Sequence, residues 1–224
     1  MKKVILTLVA VATMGIANAQ LFVGGNLGFS KTGGSNEYTE DGATATTQFP
    51  KTTEWTIAPK IGFQMNKLSF GAIIELDGEK TVTEGKYVKD DKFTEKYFGW
   101  GVCPFVRYNA FEFGNFALFC ELQIPIISGQ YKTKYENGSN PVVEADGAKV
   151  FGFAIQAVPG LNYKLSEHLN FDLYVNLLKL GWSMEKQTVE TTDPTTKDVD
   201  KYTGFQVGVY SLPDVITLGF NYNF

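Results

Sequence analysis

The chain has 224 residues, 44% of them hydrophobic and 14% aromatic, with a formal net charge of −4. One histidine and two cysteines supply no tetrahedral metal set, no cofactor motif is present, and the acidic balance argues against a nucleic-acid partner. Beyond the N-terminal segment no apolar run suits a transmembrane helix, so a membrane form of this chain has to be a closed barrel.

Lys2 and Lys3 precede an apolar run over residues 4–16, and Ala17-Asn18-Ala19 follows. That order predicts a signal peptide over residues 1–19, cleaved before Gln20, with the barrel domain over residues 20–224. The run is too short to span a membrane, which takes roughly 20 apolar residues. Cleavage removes two lysines and leaves 18 basic against 24 acidic side chains, a mature charge of −6.

The first predicted strand, residues 21–30, alternates Leu21, Val23, Gly25, Leu27 and Phe29 with Phe22, Gly24, Asn26, Gly28 and Ser30. Gly24, Gly25 and Gly28 do not open a helix, so a phosphate-binding loop fails its context. A long polar connection follows over residues 31–53. The second strand sets Trp55, Ile57, Pro59, Ile61, Phe63 and Met65 against Thr56, Ala58, Lys60, Gly62 and Gln64. The third sets Leu68, Phe70, Ala72, Ile74 and Leu76 against Ser69, Gly71, Ile73, Glu75 and Asp77. A two-residue turn at Asn66-Lys67 places Met65 opposite Leu68, and that single register keeps both faces consistent along the hairpin.

After a charged connection over residues 78–94, the fourth strand turns Phe98, Trp100, Val102, Pro104, Val106 and Tyr108 outward and Arg107 inward. An aromatic turn over residues 109–115 is expected to lead to the fifth strand. There Phe116, Leu118, Cys120, Leu122, Ile124 and Ile126 face out, and Glu121 and Gln123 face in. The polar stretch 132–148 carries a glycosylation sequon at Asn137, which reads as an ordinary Asn-Gly turn. The sixth strand presents Phe151, Phe153, Ile155, Ala157, Pro159, Leu161 and Tyr163 outward, with Gln156, Asn162 and Lys164 inward. The loop Ser166-Glu167-His168 returns to the seventh, whose Leu169, Phe171, Leu173, Val175 and Leu177 oppose Asp172, Tyr174 and Asn176. A last polar connection, 184–203, precedes a strand beginning near Gly204 and broken at residues 211–214. Its end alternates Ile216, Leu218, Phe220, Tyr222 and Phe224 with Thr217, Gly219, Asn221 and Asn223.

Long connections thus follow the odd strands and short ones the even strands, as in an outer-membrane barrel. Trp55, Trp100 and Trp182 lie at the long-connection ends and form an expected aromatic girdle. Phe63, Tyr108, Phe116, Tyr163, Phe171, Tyr222 and Phe224 crowd the other ends. The predicted fold is all-β: an eight-stranded antiparallel transmembrane up-and-down β-barrel with short periplasmic turns and long extracellular loops.

The signal segment, the start Gln20-Leu21-Phe22-Val23-Gly24-Gly25, the stretch Ile57-Ala58-Pro59-Lys60-Ile61-Gly62-Phe63 and the end Leu218-Gly219-Phe220-Asn221-Tyr222-Asn223-Phe224 resemble the small OmpA-like, porin-family outer-membrane barrels of Bacteroidota. The resemblance covers the whole chain and implies residence in the outer membrane of a Gram-negative cell, but no active-site motif. It makes Phe220, Tyr222 and Phe224 the assembly signal read by barrel-assembly machinery. The peptidoglycan-binding domain of full OmpA proteins is not expected here.

An enzyme reading rests on His168 beside Ser166 and Glu167, in the manner of barrel enzymes that modify lipid A, but a solvated turn accounts for these residues. If Tyr108 pairs with Phe116, Cys103 faces Glu121 and points inward while Cys120 points to lipid; a shift of one residue would set the two cysteines opposite each other. Free, buried thiols are the expectation. Lys60, Glu75, Asp77, Arg107, Glu121, Lys164 and Asp172 all project inward, more charge than a soluble core holds unpaired. The expected lumen cluster is Lys60, Glu75, Asp77, Arg107, Glu121 and Asp172, with Lys60–Glu75 its first ion pair. The expected role is structural or adhesive, in contact with outer-membrane lipid and lipopolysaccharide and without catalysis. A narrow porin-like channel is the alternative, and a lipid A-modifying enzyme a distant one.

Overall fold

The structure, a computed structural model, describes residues 19–40, 43–85, 91–137, 142–175, 178–190, 197–209 and 216–224. Outside them lie the expected signal segment apart from Ala19, Asn176 and Leu177 with the inward and outward positions expected of them, the break expected at residues 211–214, and the sequon's Gly138 and Ser139. The described residues form thirteen β-strands: β1 (Gln20–Thr32), β2 (Ser35–Glu40), β3 (Ala43–Gln48), β4 (Lys51–Met65), β5 (Leu68–Glu84), β6 (Asp91–Phe113), β7 (Phe116–Gln123), β8 (Ile126–Asn137), β9 (Val143–Lys164), β10 (Leu169–Val175), β11 (Leu178–Glu190), β12 (Lys197–Val209) and β13 (Ile216–Asn223).

All pairings are antiparallel. Following them from β1 leads through β4, β5, β6, β7, β9, β10 and β13, and β13 pairs with β1 again. β8 continues the place of β7 between β6 and β9, and β11 pairs with β9 and β12 beyond β10. The break between β7 and β8 falls at Pro125, which has no N–H to give the ladder. Even there, Ile124 donates to the Pro104 carbonyl and Ala154 to that of Pro125, both at 3.0 Å. β2 and β3 form a separate two-stranded hairpin.

Where the sequence reading expects eight strands, the described residues divide into thirteen strand segments. The connections expected as loops are largely strand: β5 reaches Glu84, β8 reaches Asn137, β9 starts at Val143 and β12 at Lys197. Two-residue alternation requires two different media on the two faces; β8 is half-buried along nearly its whole length and β12 is exposed on both faces from Asp198 to Phe205, so neither shows it.

The hairpin of β4 and β5 has the expected register, with Met65 opposite Leu68 and Asn66 at φ 51° in the turn. The next hairpin does not. β6 runs on to Phe113 and turns at Gly114-Asn115, where Gly114 takes φ 57°, a conformation that glycine adopts without strain. A bulge between Asn109 and Phe111 intervenes, and Tyr108 sits opposite Cys120 rather than Phe116. The change is even, so both faces survive it, but Arg107 rather than Cys103 now faces Glu121. Cys103 and Cys120 are free as expected; Cys103 is buried, whereas Cys120 is exposed on the outer face.

Burial follows the alternation. From Phe98 to Tyr108 every even residue is exposed and every odd one buried, and β7 alternates the same way. The exposed set is apolar: Ile57, Ile61, Ile74, Val102, Val106, Leu122 and Phe220 are each between 40% and 52% exposed. The enclosed set is charged or amide-bearing: Lys60, Arg107, Gln123, Glu121, Asp172 and Asn221. This is the reverse of a protein folded in water, where so continuous an apolar exterior is rare.

Candidate functional site in the enclosed interior

The interior side chains come from six strands. Lys60 stands on β4, Arg107 on β6, Glu121 and Gln123 on β7, Asn162 on β9, Asp172 and Tyr174 on β10, and Asn221 on β13. Each occupies an inward position of its strand, and the β6–β7 register sets Arg107 directly across from Glu121.

Arg107 grips Asp172 with both ends of its guanidinium, Nη1 to Oδ1 at 3.0 Å and Nη2 to Oδ2 at 2.7 Å. Its Nε donates to Glu121 Oε2 at 2.8 Å. Lys60 Nζ reaches that same oxygen at 2.7 Å from the far side of the ring of strands. The Tyr174 hydroxyl accepts from both cations, at 2.9 Å from Lys60 and 2.8 Å from Arg107. Remaining lone pairs are taken by amides: Gln123 donates to Glu121 at 2.8 Å, and Asn162 and Asn221 each donate to Asp172 at 2.7 Å. Gln156 extends the chain to Gln123 at 2.9 Å. Two cations meet two anions, so the network is neutral, and Glu121 and Asp172 are 0% and 1% exposed. A bidentate, fully bonded pair is the form in which buried charge is tolerated.

Aromatic rings complete the filling. Lys60 Nζ lies 3.9 Å from the centre of the Phe105 ring and the Arg107 guanidinium 3.8 Å from that of Phe119, within cation–π range. Phe22, Ala58, Ile73, Cys103 and Phe105 form one apolar cluster, and Phe119, Val158 and Tyr174 another. The sequence reading missed Phe105 and Phe119. Their odd positions between Cys103 and Arg107, and between Cys120 and Leu118, were the available signal.

Of the six residues expected in this cluster, four meet and two do not. Glu75 faces Gly101 and Asp77 faces Gly99 in the ladder, away from the cations. The expected Lys60–Glu75 pair is corrected to Lys60–Glu121. Lys60 projects across the interior, where the anion on β7 offers an ion pair that the diagonal neighbour on β5 does not. Lys164, also expected inward, is exposed near the short-turn end. On that side of the network is a cavity of about 210 Å³ bordered by Gln20, Phe22, Arg107, Asn162, Asn221 and Asn223.

Elsewhere, Trp55 lies across Gly78, where a Cβ would strike the indole, and its ring centre is 6.3 Å from that of Phe98. Trp100 is exposed, and Trp182 packs edge-on to Phe153 at 5.9 Å. Phe220, Tyr222 and Phe224 point outward, and the Phe224 amide donates to Leu21 at 3.0 Å. His168 Nδ1 is 2.9 Å from the Asn223 carbonyl, and its ring stacks on Tyr222. Ser166 Oγ accepts the amides of His168 and Leu169, so ring and hydroxyl serve the turn separately.

No family model matches the chain, and no curated protein matches it. Among solved structures it is similar to the crystal structure of Neisserial surface protein A (NspA), at 10% identity and a TM-score of 0.32, over 91% of this chain and 97% of that one. It is also similar to the TodX deltaS2S3 mutant monoaromatic hydrocarbon channel, at 10% identity and a TM-score of 0.28, over 92% of this chain and 90% of that one.

Proposed function

We propose that the chain is an eight-stranded outer-membrane β-barrel whose interior is closed by its own side chains and whose role is structural or adhesive. Eight places in the cycle of strand pairings support the strand number, with β7 and β8, β10 and β11, and β12 and β13 each forming one wall strand. From Trp55 to Met65 is ten residue steps, about 33 Å along a strand and about 25 Å once tilted, the height of an outer-membrane apolar band. The extended hairpins then stand on the cell surface, and the terminal aromatics address assembly machinery.

The observation that carries the closed interior is the Arg107–Asp172–Glu121–Lys60 network, in which every charge has its counter-charge across the barrel. Eight strands leave a bore only wide enough for side chains to fill. Purified protein in planar bilayers is expected to show no stable unitary conductance. Ion-selective steps from the wild-type monomer would sink this reading and favour the narrow channel, which has the turn-side cavity against Arg107 in its support.

A further inference from the structure

On the outer face, the outward row next above Trp55, Gly78 and Phe98 is a line of lysines. The ladder sets Lys31 opposite Thr53, Thr53 opposite Lys80, Lys80 opposite Lys96, Lys96 opposite Lys132, and Lys132 opposite Asp146. All four lysines are exposed. Neighbouring strands lie about 4.8 Å apart, so Lys80, Lys96 and Lys132 fall within roughly 10 Å of one another. Like charges directly opposite in a ladder destabilise it.

Lysines farther from the apolar band are handled differently. Lys51 pairs with Glu84 at 3.4 Å, Lys92 with Glu136 at 3.8 Å and Lys134 with Glu136 at 2.7 Å. The hydrogen bond from Lys134 holds the Glu136 carboxyl below its ordinary range and lifts the Lys134 ammonium above its own. Lys80, Lys96 and Lys132 make no ion pair with any described residue. Asp146 is the one acid in their row, and four cations against it leave +3.

Between these lysines and the aromatic rings runs a groove of about 750 Å³ bordered by Thr53, Trp55, Lys80, Lys96, Phe98 and Lys132. Glu79 also borders it, but its carboxylate accepts from Thr81 at 3.1 Å. Below the groove the same outer face is apolar: Ile57, Leu76 and Trp100 in one row, Ile74, Val102 and Ile126 in the next. Cations over an aromatic ledge over an apolar wall match a lipid with an anionic head.

We propose that this groove binds the phosphorylated headgroup of an outer-leaflet glycolipid. Lys80, Lys96 and Lys132 meet the phosphate oxygens as point charges, and the acyl chains run down over Ile57, Ile74 and Val102. The inference rests on the outer-membrane reading above.

The test compares binding of diphosphoryl lipid A, of its dephosphorylated form and of inorganic pyrophosphate to the full barrel in neutral detergent. The wild type is set beside the triple variant Lys80→Gln/Lys96→Gln/Lys132→Gln. Each lysine is expected to contribute about fivefold, so the triple variant binds the diphosphoryl lipid roughly a hundredfold more weakly. A Lys→Arg triple retains binding, and Lys92→Gln/Lys134→Gln leaves it unchanged. Equal binding of the dephosphorylated lipid, equal binding of pyrophosphate, or an unaffected Lys→Gln triple each overturns the proposal. Fractionation of cells is scored separately: wild-type protein missing from the outer membrane defeats the parent reading, whatever the binding result.

Discussion

β6 between Phe98 and Tyr108 and β12 between Asp198 and Phe205 are equally regular antiparallel strands, yet one alternates at every residue and the other is exposed throughout. The backbone is the same in both. What differs is the surroundings: β6 separates a filled interior from an apolar exterior, whereas β12 is exposed on both faces from Asp198 to Phe205. Alternation therefore records a difference in medium across the sheet. Strand itself leaves no such record where the medium is uniform.

The strongest way to break this comparison is inside the banded half. Arg107→Ala leaves Asp172 and Glu121 buried without their shared cation, and removing one partner of such a network costs about 3–5 kcal/mol. Urea unfolding of the barrel in detergent should show that loss at an unchanged slope. A midpoint within error of the wild type would mean that the interior is hydrated and the ion pairs are screened.

The same division governed what could be read from sequence. The faces of the wall strands were legible because Ile57, Ile61, Ile74 and Val102 alternate with Lys60, Ile73 and Cys103 under one register. The members of the network were legible for the same reason, since any inward charge declares itself against an apolar neighbour. Which charges meet was not. Lys60 and Glu121 lie 61 positions apart, on strands β4 and β7 that do not pair, and meet only across the interior. The Arg107–Glu121 contact depends on a bulge at Asn109–Phe111 that no pattern announces. The extensions were illegible for the reason β12 shows.

A milder change sharpens the outer side of the comparison. Ile74→Arg places a charge at the middle of the apolar band, which costs about 2–4 kcal/mol for an outer-membrane strand. Val199→Arg, at 41% exposure on β12, should stay within about 0.5 kcal/mol, since both of that strand's faces are exposed there. Equal costs at the two sites, measured by refolding into lipid vesicles, would remove the case for hydrocarbon around β5.

The smallest expected effect is the most discriminating for the interior. Glu75 and Asp77 share the inward face of β5 two residues apart, and among the described residues Glu75 has neither a hydrogen bond nor an ion pair. Glu121, by contrast, takes both cations and Gln123. Glu75→Gln keeps the side chain's shape while removing one of two neighbouring like charges. Its cost should be nil, with a gain of up to about 0.5–1 kcal/mol from relieved repulsion. Glu121→Gln should instead be clearly destabilising, because Lys60 and Arg107 are then left sharing Asp172 alone. Measured side by side as urea midpoints, a loss at Glu75 equal to that at Glu121 would mean that Lys60 divides its charge between β5 and β7. The pairing across the barrel would then not be what closes it.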